Sequence, residues 1–198
     1  QKQYVLITIY HYSFIKRIFM NEKLKQELKN KIRIIPNFPK KGILFQDVTS
    51  ITDNSDLFKK VIRELSIYAK KNKISKIAGI EARGFIFGAA VANQCNLPFI
   101  PIRKKDKLPG ATYKQKYKLE YGDDEVQVHK DAANSKDRIL IIDDLIATGG
   151  TAKAAAKLIN KLKPKEIRFH FIIDLNNLGG FKKIRDEFEA CSLIKSTG

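Results

Sequence analysis

The sequence predicts an α/β protein built on a mainly parallel, doubly wound sheet, and three observations predict it. Short apolar runs alternate with helix-patterned stretches from residue 43 to residue 175, the order that produces parallel strands with helices on both faces. The run Ile139-Leu-Ile-Ile142 is continuously apolar, as a strand covered on both sides must be. Two strand–loop–helix units carry loops of small residues near positions 81–84 and 147–151. In such loops, backbone N–H groups and the positive end of a helix converge on one point.

Each element follows from its residues. Residues 1–19 contain the apolar Val5-Leu-Ile-Thr-Ile9 followed by Lys16 and Arg17. The charges come after the apolar run and no small-residue cleavage site is visible, so the stretch fits neither a signal peptide nor a membrane span. It is expected to be an extension outside a domain of residues 20–198, with Met20 starting a short amphipathic helix. Residues 31–36 have strand character, and residues 37–50 turn at Pro39 and Gly42 into a short apolar strand. Leu57, Phe58, Val61, Ile62, Leu65 and Tyr68 fall at helical spacing over 53–71, with Asp53 as the expected cap. Strands are expected at 77–80, 99–103, 138–142, 166–174 and 191–194. Helices are expected at 85–94, from Thr151 onward, and briefly after Gly180. Between Lys104 and Gly122, Pro109, Gly110 and many charges predict an exposed, mobile loop, placed where a lid over a ligand belongs.

Composition narrows the classes of function. The 198 residues, 43% of them hydrophobic, suffice for one full core. A formal charge of +17, from 38 Lys and Arg against 21 Asp and Glu, permits an anionic ligand or nucleic acid. The lysines are scattered, without an arginine stripe or interleaved aromatics, so they read as solvated faces that also steer a polyanionic substrate, with no nucleic-acid partner expected. No apolar run approaches the roughly 18 residues of a membrane span. Cys95 and Cys191 are far apart and outside any metal-ligand spacing, and His11, His129 and His170 form no cluster. These thiols suit a reducing compartment, the cytoplasm being expected, and the histidines read as structural.

The chemistry concentrates in Arg138 to Thr151. Asp143 and Asp144 close the apolar strand, and Ala147-Thr-Gly-Gly-Thr151 opens a helix rich in alanine. The glycine turn can present backbone N–H groups to a phosphate, and Thr148 and Thr151 can add hydroxyl donors. The carboxylates repel phosphate; they suit sugar hydroxyls or a hydrated Mg²⁺. A ligand with a phosphate on one side and a diol on the other is a ribose 5-phosphate. Neither a Walker loop nor a Gly-x-Gly-x-x-Gly turn is present. Arg83, in the second loop, supplies a rigid positive fork for phosphate oxygens.

Residues 138–151 resemble the phosphoribosyl-diphosphate (PRPP) motif of type I phosphoribosyltransferases: an apolar run, Asp-Asp, two residues, then Ala-Thr-Gly-Gly-Thr. Further stretches resemble the adenine phosphoribosyltransferase family in its order, over roughly residues 30 to 180. Phe38 to Asp47 is similar to "Phe-Pro-x-x-Gly-Ile-x-Phe-x-Asp", with Gln46 where arginine is frequent. Glu81 to Gly88 is similar to the pyrophosphate loop "Asp-Ser-Arg-Gly-Phe-x-Phe-Gly". Arg103 to Gly110 and Leu119 to Gly122 resemble the two ends of the family's hood, placed here at about 104–125. Asp174 to Phe181 is similar to "Glu-Leu-x-x-Leu-x-Gly-Arg", with Asp174 for glutamate and Phe181 for arginine.

The resemblance implies a type I phosphoribosyltransferase fold and transfer of the phosphoribosyl group of PRPP to adenine, giving AMP and pyrophosphate in purine salvage. An oxocarbenium-like transition state is expected, as in glycoside hydrolysis. Asp143 and Asp144 are then expected to hold the ribose, and Ala147, Thr148, Gly149, Gly150 and Thr151 the 5-phosphate. Arg83, Arg103, Lys104 and Lys107 are expected at the pyrophosphate, with Mg²⁺ carried mainly by PRPP. Glu120 is the expected acid–base group, and Leu44, Phe45, Gln46 and Leu175 are expected at the base. The family further implies a homodimer in which Arg103 reaches the neighbouring site, and a non-proline cis peptide between Glu81 and Ala82. Two alternatives stay open: another base (hypoxanthine, guanine, xanthine or orotate), or a regulator that binds PRPP and nucleic acid.

Overall fold

The structure, a computed structural model, describes residues 22–118 and 123–197. The expected extension at 1–19 and Glu120 lie outside the described residues. Two compact units meet in sequence between Val61 and Ile62.

In the N-terminal unit, α1 covers residues 22–31 and buries Leu24 and Leu28. Strand β1 (Arg33–Pro36) pairs antiparallel with β2 (Leu44–Asp47). Their connection is closed by the Gly42 N–H donating to Asn37 Oδ1 at 2.9 Å and the Asn37 N–H donating to the Ile43 carbonyl at 2.8 Å. Asp47 Oδ1 then accepts the Thr49 N–H (3.0 Å) and hydroxyl (2.6 Å), which starts α2 (Thr49–Thr52). The cap of α3 (Ser55–Lys71) corrects an expectation. Asp53 ends α2 with helical dihedrals (φ −77°, ψ −6°). Asn54 is the capping residue instead, its Oδ1 accepting the Leu57 N–H at 3.0 Å.

The C-terminal unit is the predicted sheet. Its strands are β3 (Lys76–Ile80), β4 (Phe99–Lys104), β5 (Thr112–Lys118), β6 (Asp123–His129), β7 (Arg138–Ile146), β8 (Glu166–Leu175) and β9 (Glu189–Ser196). Their spatial order is β5-β6-β4-β3-β7-β8-β9. The pairs β4–β3, β3–β7, β7–β8 and β8–β9 are parallel; β5–β6 and β6–β4 are antiparallel. One face carries Ala78, Ile102, Val126, Ile139, Ile141 and Phe169 against the alanines of α5 (Gly150–Asn160). Small side chains on α5 let the helix lie close to bulky β-branched strands. Ile141 is fully buried, and truncating such a residue to alanine costs about 2–5 kcal/mol. Helix α4 (Arg83–Cys95) packs on β3 and β7, with Phe87 and Val91 buried. A last short helix, α6, covers Gly180–Arg185.

Two expectations change here. Residues 112–118, within the segment expected as a loop, are a strand that pairs with residues 123–129 and extends the sheet. The antiparallel register Tyr113↔Val128 and Tyr117↔Asp124 explains it: Val126 and Val128 are buried and the tyrosines pack on the same core. Asp143 and Asp144 do not end their strand either; β7 runs through them to Ile146 and pairs with β8 as far as Asp174. No helix of the described residues is long and apolar enough to cross a membrane.

Candidate active site

Beyond the carboxyl ends of β3 and β7 lies a cavity of about 250 Å³, where open parallel sheets bind ligands. It is lined by Glu81, Ala82 and Arg83 after β3, by Lys104 at the end of β4, by Asp143 and Asp144 on β7, and by every residue from Ala147 to Thr151. Nine of the expected site residues therefore meet in one place: Arg83, Lys104, Asp143, Asp144, Ala147, Thr148, Gly149, Gly150 and Thr151.

The loop from Ala147 to Thr151 is shaped by its backbone. Gly149 has φ +84° and caps α5, its carbonyl accepting the Lys153 N–H at 2.9 Å. That conformation suits glycine and strains any residue with a Cβ. The loop is also held from behind, because the Gly180 N–H donates to the Ala147 carbonyl at 3.0 Å. A Cβ on Gly180 would stand 2.2 Å from that carbonyl oxygen and 2.5 Å from the Gly149 nitrogen. Gly180 is thus a packing support of the loop that residue chemistry alone did not single out. Its only sequence signal is its place in the stretch resembling the family's last motif.

The loop from Glu81 to Gly84 works through charged side chains. The Glu81–Ala82 peptide is cis, as expected. Arg83 Nε lies 3.0 Å from Asp144 Oδ2. Glu81 receives the Arg103 fork, Nε to Oε2 at 3.2 Å and Nη2 to Oε1 at 3.3 Å, and the Lys104 backbone N–H at 2.8 Å. Arg103 holds the Glu81 carboxyl below the usual carboxylate range. Glu81, which stands where the resembled motif has aspartate, joins the ends of β3 and β4.

The two aspartates differ. Burial raises the Asp143 carboxyl well above its ordinary range, and the charge of Asp144 raises it further. Asp144 is itself raised by burial, but the Arg83 guanidinium offsets part of that. His170 is buried, pushed down to about 4 by its surroundings, and packs edge-on against Tyr68 at 4.9 Å. A neutral core histidine matches its structural reading.

Other expected site residues do not line this cavity. Lys107 sits in the loop after β4, where its carbonyl accepts Arg103 Nη1 at 2.9 Å. Leu175 is buried at the end of β8. Leu44, Phe45 and Gln46 belong to β2 of the N-terminal unit, exposed, half-buried and buried in turn. Phe45 meets Phe38 edge-on at 5.1 Å. Among the described residues no cluster of three or more His, Cys, Asp or Glu could hold a metal. The donors present fit a Mg²⁺ that keeps its waters and is held chiefly by substrate phosphates, with one or two carboxylates nearby.

A glycine-turn backbone, the charged Arg83 and Lys104 and an aspartate pair thus line one cavity. The pattern of the phosphoribosyl transferase domain matches residues 47–192. An adenine phosphoribosyltransferase of Brucella ovis is 49% identical over 165 residues, 83% of this chain and 91% of that protein. The solved adenine phosphoribosyltransferase of Saccharomyces cerevisiae, complexed with adenine and an imino-altritol bisphosphate, superposes with a TM-score of 0.83 at 37% identity, over 87% of this chain and 99% of that one. That of Trypanosoma brucei, in complex with AMP, pyrophosphate and ribose-5-phosphate, gives 0.80 at 25% identity, over 87% and 79%. The chain belongs to the phosphoribosyltransferase family and, within it, to the adenine phosphoribosyltransferases.

Proposed function

We propose that this chain transfers the phosphoribosyl group of PRPP to adenine in purine salvage, forming AMP and pyrophosphate at the cavity after β3 and β7. The observation that carries the reading is the meeting of Arg83, Lys104, Asp143, Asp144 and the Ala147–Thr151 loop around one space. The bond from the ribose anomeric carbon to pyrophosphate breaks while the bond to N9 of adenine forms, and the purine proton at that nitrogen is given up. Asp143 and Asp144 hold the ribose hydroxyls and stabilise the positive charge that develops on the sugar. Residues 147–151 hold the 5-phosphate through backbone N–H groups and hydroxyls. Arg83, Arg103, Lys104 and Lys107 neutralise the leaving pyrophosphate, Arg103 by reaching the neighbouring site of the dimer. Bound Mg²⁺ supplies further neutralisation of pyrophosphate charge. Glu120 handles the purine proton, and Leu44, Phe45, Gln46 and Leu175 contact the base. The chain acts as a homodimer in a reducing compartment, the cytoplasm; the free thiols of Cys95 and Cys191 support the second point.

The test is PRPP-dependent pyrophosphate release measured base by base. Release is expected with adenine ahead of hypoxanthine, guanine, xanthine and orotate, and no release with any base would contradict the reading. Glu120→Leu is expected to lower turnover by about 2.7–4 kcal/mol of transition-state stabilisation, the usual loss for one well-placed group. Sedimentation of the purified chain checks the dimer.

A further inference from the structure

Lys104 is held in a way that its sequence neighbours do not explain. Its Nζ donates to the Tyr117 hydroxyl at 2.7 Å and forms a close ion pair with Asp124 Oδ2. The Tyr117 hydroxyl in turn donates to Asp124 Oδ2 at 2.8 Å, so the three groups close a ring. Asp124 is fixed by a second contact, its Oδ1 accepting the Glu125 N–H at 2.7 Å. Tyr117 and Asp124 face each other across the β5–β6 ladder, and Lys104 is in register with Val126 on the neighbouring strand. The lysine backbone is pinned as well, its N–H donating to Glu81. A lysine ammonium has three N–H donors, so with two engaged one remains for the cavity that Lys104 lines.

We infer that Tyr117 and Asp124 are positioning residues that fix Lys104 Nζ for the pyrophosphate, an inference that rests on the site reading above. Lysine is a flexible point charge on four methylenes. Held by two acceptors before the ligand arrives, it binds an anion without first losing that freedom. Burial pulls the ammonium toward deprotonation, and Asp124 and Tyr117 more than offset it, so the group stays charged. The carboxylate also offsets part of the positive potential at Nζ. The geometry favours pre-organisation over restraint because Lys104 stays on the cavity wall while paired.

The experiment measures binding of magnesium pyrophosphate and, separately, ribose 5-phosphate to the whole chain and to Asp124→Ala, Tyr117→Phe, Lys104→Gln and the Lys104→Gln/Asp124→Ala double variant. Loss of a charge-assisted contact of this kind predicts about tenfold weaker pyrophosphate binding in Asp124→Ala. Tyr117→Phe gives a smaller loss, and ribose 5-phosphate affinity stays unchanged, showing an intact fold. In the Lys104→Gln background, Asp124→Ala adds no further loss, as expected for groups acting through one another. Steady-state assays place the defect in the KM for PRPP more than in kcat. Three outcomes would overturn the inference: tighter pyrophosphate binding in Asp124→Ala, unchanged binding, or an undiminished loss without Lys104. Failure of the unsubstituted chain to bind either ligand would instead sink the reading of the cavity itself.

Discussion

The loops after β3 and β7 face one cavity with opposite chemistry. The Ala147–Thr151 loop offers glycines, backbone N–H groups and two hydroxyls, and its shape is set by Gly149 and by Gly180 packed behind it. The Glu81–Gly84 loop offers charges already engaged with other charges: Arg83 with Asp144, and Glu81 with Arg103. The difference suits the fate of each anion in the proposed reaction. In the proposed reaction the 5-phosphate passes unchanged from substrate to product, so a rigid neutral grip that binds ground and transition states alike is sufficient. In the proposed reaction the pyrophosphate gains charge as it leaves, so charged partners held in place beforehand suit it.

The largest effect expected from breaking this contrast is at Arg83. Arg83→Gln removes the fork facing the leaving group and leaves the buried Asp144 carboxylate without its ion pair. A loss of roughly 10²–10³ in kcat is expected, the usual range for one transition-state donor. Steady-state kinetics check it, and a change confined to KM would assign Arg83 to ground-state binding only.

Gly180→Ala attacks the other loop without touching a charge. A Cβ 2.2 Å from the Ala147 carbonyl oxygen must push the loop away. A misplacement on the order of 1 Å costs about 10²-fold, and the loss should fall on the KM for PRPP and on ribose 5-phosphate affinity. A kinetically silent Gly180→Ala would show that the loop does not depend on its support.

Asp143 separates stability from function. Its carboxyl is raised by burial and by Asp144, so its folded-state pKa lies above its unfolded value. Above that pKa the ionised form costs folding free energy, and the cost disappears as pH falls through it. Asp143→Asn is therefore expected to raise Tm by a few degrees at neutral pH, less under acidic conditions, while turnover falls. Thermal melts across pH with matched assays check both signs, and a lower Tm at neutral pH would contradict the assignment. The smallest effect belongs to the chain begun at Met20. It should fold and turn over as the full chain does, measured by melting and by activity.

Legibility from sequence followed the same divide. Asp143 to Thr151 could be read as a ribose 5-phosphate site because its chemistry is local: a strand, two carboxylates and a glycine turn adjoin in sequence. The parallel sheet was legible for a similar reason, since Ile139 to Ile142 can only be a strand buried on both faces. The charged loop could be read only in part. Glu81 meets Arg103 across 22 positions, and Lys104 meets Asp124 across 20, pairings that depend on which strands become neighbours. Gly180 lies 33 positions beyond Ala147 in sequence and touches it only in the fold. Strands β5 and β6 were missed because Pro109, Gly110 and alternating lysines carry loop signals, while among the described residues their apolar side is Tyr113, Tyr117, Val126 and Val128. Asp53 and Asn54 can both cap a helix; the end of α2 decided between them.

The division of labour between the loops is tested most directly by calorimetric titration of ribose 5-phosphate and magnesium pyrophosphate into Gly180→Ala and Lys104→Gln. The account predicts a crossed result: Gly180→Ala weakens ribose 5-phosphate and spares pyrophosphate, and Lys104→Gln does the reverse. Equal weakening of both ligands by both substitutions would contradict it.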